Sequence, residues 1–86
     1  MADIKCLVVD DEPLAARLIG SYVERTPFLS LVATVNSAAE ALAVMASDTV
    51  DLVFLDIRMP GLSGMDLARQ LGNGPKIVFT TAYSDH

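Results

Sequence analysis

Hydrophobic positions along the chain alternate between two spacings. Three short apolar runs with β-branched content, Ile4 to Val9, Leu52 to Leu55 and Lys76 to Phe79, have the length of buried strands, and Leu31 to Val35 is a weaker fourth candidate. The segments between them carry helical spacing. Strands that alternate with helices predict a parallel sheet covered on both faces, an α/β fold.

The punctuation sets the expected helix limits. Pro13, favoured at a first helical position, opens the first helix, with Asp11 or Glu12 placing negative charge beside its N-terminus. Leu14, Leu18, Ile19, Tyr22 and Val23 recur on one face, which is expected to be the buried one, and Pro27 ends the helix. Ser37 and Glu40 form a capping-box pair ahead of a second helix, with Ala41, Leu42 and Met45 expected to face inward. A third helix is expected from about Ser63-Gly64 to Leu71, where Gly72-Asn73-Gly74-Pro75 stops it.

Composition narrows the class. At 86 residues there is room for one domain, and 52% apolar content with a mean hydropathy of +0.45 argues for a packed core over disorder. The net charge is −5 and the six Lys and Arg are scattered, so the basic footprint that nucleic-acid phosphates require is missing. Cys6 is alone in an apolar run, which excludes a disulfide framework and reads as a small buried hydrophobe in a reducing, cytoplasmic compartment. The first apolar run is cut short by Asp10, too early for a signal-peptide core or a membrane span.

The candidate chemistry lies in three carboxylates. Asp10 and Asp11 follow the first strand and Asp56 follows the third, so in a parallel sheet all three reach the carboxyl edge, where open α/β folds bind ligands. Like charges held close in a partly dry site repel, and a divalent cation would compensate them; all-oxygen ligation suits Mg2+. With Asp10 and Asp11 paired for the metal, Asp56 is free to act as a nucleophile toward a phosphoryl group. Thr81 and Ala82 follow the fourth strand to the same edge, where a hydroxyl can donate to a phosphoryl oxygen and a small neighbour leaves it room. Taken singly, the paired acids could be a helix N-terminal charge cluster, Asp56 a turn residue, and Thr80 and Thr81 the end of a strand.

Three segments together resemble the receiver domain of two-component response regulators: Leu7-Val8-Val9-Asp10-Asp11-Glu12-Pro13-Leu14, Asp51 through Gly64 with its core Leu55-Asp56-Ile57-Arg58-Met59-Pro60-Gly61, and Phe79-Thr80-Thr81-Ala82-Tyr83. The resemblance implies a CheY-like, flavodoxin-like doubly wound sheet of strand order 2-1-3-4 over residues 1–86, and a phosphoacceptor signalling domain rather than a dedicated enzyme. It implies that Asp56 receives a phosphoryl group from a phosphohistidine on a sensor histidine kinase. It further implies that Asp11, Asp56 and the backbone carbonyl of Arg58 ligate Mg2+ directly and Asp10 through water. Thr81 is similar to the family's switch hydroxyl, and Met59-Pro60-Gly61 to the loop that shapes the site. The run Asp11-Glu12-Pro13-Leu14-Ala15, with Phe79 to Tyr83, most resembles receivers that precede a LytTR-type DNA-binding domain, which implies a transcriptional regulator with its DNA contacts in an output domain.

One departure bears on mechanism. The family carries, beyond the Thr-Ala position, a further helix, a fifth strand followed by Lys-Pro, and a final helix, whereas this chain ends at His86, itself expected to be a disordered terminal residue and not a ligand. Lys5 and Lys76 each begin a strand, at the edge opposite the acids, and neither replaces the family's lysine. The expectations are retained Mg2+ binding, impaired phosphorylation, and association through the fourth strand or through exchanged elements. Two other classes remain: an interaction module that has lost phosphorylation, and a Mg2+-dependent phosphohydrolase, against which Asp10-Asp11-Glu12-Pro13 lacks the Asp-x-Asp pattern. No glycine-rich phosphate loop is present.

Overall fold

The computed structural model describes residues 3–56, 69–72 and 74–80. In chain order these form β1 (Ile4–Val9), α1 (Pro13–Glu24), β2 (Leu29–Val35), α2 (Ala38–Ser47), β3 (Leu52–Asp56) and β4 (Lys76–Thr80). All strand pairs are parallel and the sheet order is β2-β1-β3-β4, the doubly wound arrangement expected from the sequence. β2 begins two residues before the expected Leu31, and β3 and β4 each run one residue further, so Asp56 is paired with Thr80 inside the sheet. Residues 69–71 are helical and Gly72, at φ 56°, takes the left-handed conformation that closes a helix. The start expected near Ser63-Gly64 lies outside the described residues.

Local capping accounts for both complete helices. Glu12 is the N-cap of α1, accepting a hydrogen bond from the Leu14 N–H at 3.3 Å, with Pro13 next. The helix stops at Glu24, three residues before Pro27, where the Thr26 hydroxyl donates to the Tyr22 carbonyl at 2.8 Å. In α2 the Ser37 hydroxyl accepts from the Glu40 N–H at 3.1 Å, but Glu40 reaches back one residue beyond the usual capping box, to the Asn36 N–H at 2.7 Å.

Each sheet face has its own core. Cys6 and Val8 of β1, with Leu52 and Phe54 of β3, pack under Ala16 and Val23 of α1. Leu7, Val9, Val53 and Leu55 point the other way, against Ala41 of α2 and Leu71. In β2 the register slips between Cys6 and Leu7, which pair with Leu31 and Ala33, so Val32 is an extra residue. Without that bulge strict alternation would put Leu31, Ala33 and Val35 on one face. With it, Leu31 serves the α1 core while Ala33 and Val35 serve the other.

The buried face of α1 agrees with the expected one only in part. Val23 is buried and Ile19 half-buried as expected, but Leu14, Leu18 and Tyr22 are 70%, 53% and 55% exposed, and Ala16 and Gly20 are buried in their place. Close approach to the sheet is the reason: a Cβ on Gly20 would lie 2.8 Å from Thr34 Cγ2 and 3.4 Å from Leu31 Cδ2. Small residues therefore occupy the contact and the larger apolar ones lie on the flank. Leu42 is likewise exposed on α2, although Ala41 is buried and Met45 packs on the core as expected.

Candidate functional site

The carboxyl ends of the two central strands carry the acids. Asp10 sits one residue past the last β1–β3 pair, Val9 with Leu55, and its N–H extends the sheet by donating to the Val35 carbonyl at 3.1 Å. Its Oδ1 accepts from the Glu12 N–H at 2.9 Å, so the same carboxylate that ends β1 shapes the turn into α1. Asn36, just after β2, donates from Nδ2 to the Asp10 carbonyl oxygen at 3.0 Å. Asp10 is 1% exposed and Asp56 6% exposed, whereas Asp11 is exposed to solvent.

Carboxylate oxygens of Asp10, Asp11 and Asp56 all lie within 4.8 Å of one another. Among the described residues Asp10 Oδ2 is buried with no hydrogen-bond partner. An unpartnered buried carboxylate oxygen is costly, and adjacent negative groups add to the cost. Accordingly the Asp10 carboxyl is raised above its ordinary 3.8, first by burial and then by the Asp56 and Asp11 charges and its side-chain contact with Asp56, against the Glu12 N–H, which lowers it.

This donor set fits a hard divalent cation. Opposite oxygens in a magnesium octahedron stand about 4.2 Å apart, twice the usual Mg–O length. Three carboxylates within 4.8 Å, one of them with a spare buried oxygen, can therefore share a single ion directly or through water. Asp10, Asp11 and Asp56 would hold it, as the chain order suggested.

Lys5 and Lys76 lie at the opposite ends of β1 and β4, away from the acids, as expected. Arg58, Met59-Pro60-Gly61, Thr81, Ala82, Tyr83 and His86 fall outside the described residues. Among the described residues Thr80 Oγ1 is buried without a partner, and Thr80 lines, with Tyr22, Phe54 and Val78, a cavity of about 320 Å³ on the α1 side of the sheet. Cys6 is fully buried, and burial raises its thiol above the ordinary value, so it behaves as the small hydrophobe expected. Asn36 was not among the residues marked by the sequence; the only hint was its place between a strand and a capping pair. Among the described residues no helix is long and apolar enough to cross a membrane.

Comparison with known proteins shows the family. Residues 6–86 match the response regulator receiver domain. The sensory transduction protein LytT of Enterococcus faecalis is 42% identical over 83 residues, covering 93% of this chain and 34% of its own length. Among solved structures, the response regulator TrrA from Thermotoga maritima in complex with Mg(2+)-BeF superposes with a TM-score of 0.80 at 37% identity, covering 98% of this chain and 72% of that one. The structure of the P1 domain of CheA3 in complex with CheY6 from R. sphaeroides gives 0.81 at 30% identity, covering 96% and 67%. The chain thus spans about a third of its curated relative.

Proposed function

The chain belongs to the response regulator receiver domain family, and from that we propose that it accepts a phosphoryl group on Asp56 in a Mg2+-dependent reaction with a sensor histidine kinase. The observation that carries the proposal is the cluster itself. Carboxylate oxygens of Asp10, Asp11 and Asp56 stand within 4.8 Å, and among the described residues Asp10 Oδ2 is buried with no partner. Burying such an oxygen costs stability that a bound cation would offset.

The division of roles follows from position. Asp56 ends a strand, its main chain fixed in the sheet by pairing with Thr80, so its carboxylate springs from a rigid element at the carboxyl edge. In the transfer a carboxylate oxygen of Asp56 forms the new bond to phosphorus as the bond to the donor nitrogen breaks, and the donor histidine keeps that electron pair. When bound, Mg2+ shields the phosphoryl oxygens from the carboxylates and neutralises charge that develops in transfer. Asp10, Asp11 and Asp56 would hold the ion, with the Arg58 backbone carbonyl joining them by family resemblance. Thr81 and Ala82 are assigned by the same resemblance as the switch hydroxyl and the small neighbour that admits the phosphoryl group.

TrrA was solved with Mg(2+)-BeF and CheY6 with the P1 domain of CheA3; both support this choice of cofactor and partner. The resemblance of Asp11 to Ala15 and of Phe79 to Tyr83 to LytTR-type receivers supports a transcriptional output through a DNA-binding domain of that type, and a cytoplasmic location follows from that role. Incubation with acetyl phosphate and Mg2+, read by intact mass, tests the proposal. Addition of one phosphoryl group to the wild type, lost in Asp56→Asn and on chelation of Mg2+, is expected. An adduct that persists in Asp56→Asn would overturn the assignment.

A further inference from the structure

We infer that Asn36 is a positioning residue for the acid site, holding the Asp10 main chain in the geometry that cation binding needs. The inference rests on the reading of Asp10, Asp11 and Asp56 as a Mg2+ site. Without a cation, three carboxylates within 4.8 Å push one another apart, and the weakest part of their support yields first. Asp56 is held within the sheet, whereas Asp10 and Asp11 stand where β1 leaves it. Restraint of the β1–α1 turn therefore governs how nearly the acids are preorganised.

Among the described residues three hydrogen bonds fasten Asp10 in that turn. The Asp10 N–H donates to Val35, the Glu12 N–H donates to Asp10 Oδ1, and Asn36 Nδ2 donates to the Asp10 carbonyl. Of these only the last comes from a side chain outside the turn. Asn36 is itself gripped, because its N–H donates to Glu40 Oε1 at 2.7 Å, at the start of α2. The link thus runs from the first turn of α2 through Asn36 to the Asp10 peptide, across the end of β2. The bulge at Val32 makes it possible, since it sets the register that pairs Val35 with Val9 and delivers the next residue beside Asp10.

The Asn36 amide touches neither the Asp10 carboxylate nor, on this account, the metal. Its loss should therefore weaken cation binding without removing a ligand. One hydrogen bond of this kind corresponds to a change of about threefold to tenfold in affinity. The test uses the 86-residue chain and Mg2+ alone, followed through the backbone amide signals of Asp10, Asp11 and Glu12. Asn36→Leu, similar in size but without a donor, is expected to bind Mg2+ about threefold to tenfold more weakly, and Asn36→Ala carries the same expectation should the leucine not fold. Val23→Ala is the control, because it opens the α1 core and lowers thermal stability without touching Asn36, Glu40 or Asp10. It should leave Mg2+ affinity within about twofold of wild type. Wild-type affinity in both Asn36 variants, or an equal loss in Val23→Ala, overturns the positioning role while the metal site stands. Failure of the wild type to bind Mg2+ overturns the metal reading, and this inference with it.

Discussion

Replacing Asp10 by Asn should stabilise the metal-free chain even though it removes a buried, hydrogen-bonded group. Asn keeps an oxygen to accept from the Glu12 N–H but removes a charge that is 1% exposed and within 4.8 Å of two other carboxylates. At 4.8 Å, two unit charges repel by about 0.9 kcal/mol with the dielectric of water and about 3.5 kcal/mol at an effective dielectric near 20. Burial of the pair with Asp56 argues for a value inside that range, so Asp10→Asn should gain about 1–3 kcal/mol at pH 7. For a domain of this size each kcal/mol moves the melting temperature by roughly 4–8 °C. The pH dependence has a definite sign. Because the folded Asp10 carboxyl is raised above its unfolded value of 3.8, the folded chain binds more protons than the unfolded one in that window. Wild-type stability should therefore fall, through this group, as pH rises from about 4 through the raised value, and the Asn variant should lack that component. Thermal unfolding by circular dichroism, with a chelator and then with saturating Mg2+, measures both. The wild type should gain stability from Mg2+ and the variant much less. If the Asp10→Asn chain melted at or below the wild type in the presence of chelator, the reasoning about a strained acid cluster would be refuted.

Other consequences concern packing. Gly20→Val should cost about 1–3 kcal/mol, since branched carbons would collide with Thr34 and Leu31, and chemical denaturation would read the loss. Val23→Ala should cost about 1–3 kcal/mol and Leu18→Ala less than about 0.5 kcal/mol, reversing the order that side-chain size alone suggests; equal effects would contradict the observed face of α1. Among the described residues β4 is an edge strand, with Val78 and Phe79 each 43% exposed, and the chain is expected to self-associate as concentration rises. Light scattering should show that growth in wild type and its suppression in Val78→Lys; a monodisperse wild-type monomer at high concentration would argue against it.

The sheet was legible because buried parallel strands must be continuously apolar, and Ile4 to Val9, Leu52 to Leu55 and Lys76 to Phe79 stand out for that reason. The acids were legible for a related one: an Asp directly after such a run has to emerge at the carboxyl edge. The packing of α1 was not, because spacing shows which residues share a face but not how near the helix comes to the sheet. At Gly20 the separation is too small for a side chain, and the small residues are buried where the large ones were expected. The Asn36 link was hidden for a different reason. It depends on a bulge at Val32, and nothing in Leu31-Val32-Ala33 marks which residue the ladder will skip. The shift of Glu40 from the N-cap N–H to that of Asn36 was equally out of reach, since both lie within range of one glutamate side chain.

Asp56, and not either of its acidic neighbours, is expected to take the phosphoryl group. An acyl phosphate can be reduced by borohydride to the corresponding alcohol, which turns a phosphorylated aspartate into homoserine and leaves free carboxylates unchanged. After treatment with acetyl phosphate and Mg2+, reduction and peptide mass analysis should find homoserine at position 56 alone. Homoserine at Asp10 or Asp11, or an intact Asp56 in a chain that has gained a phosphoryl group, would contradict it.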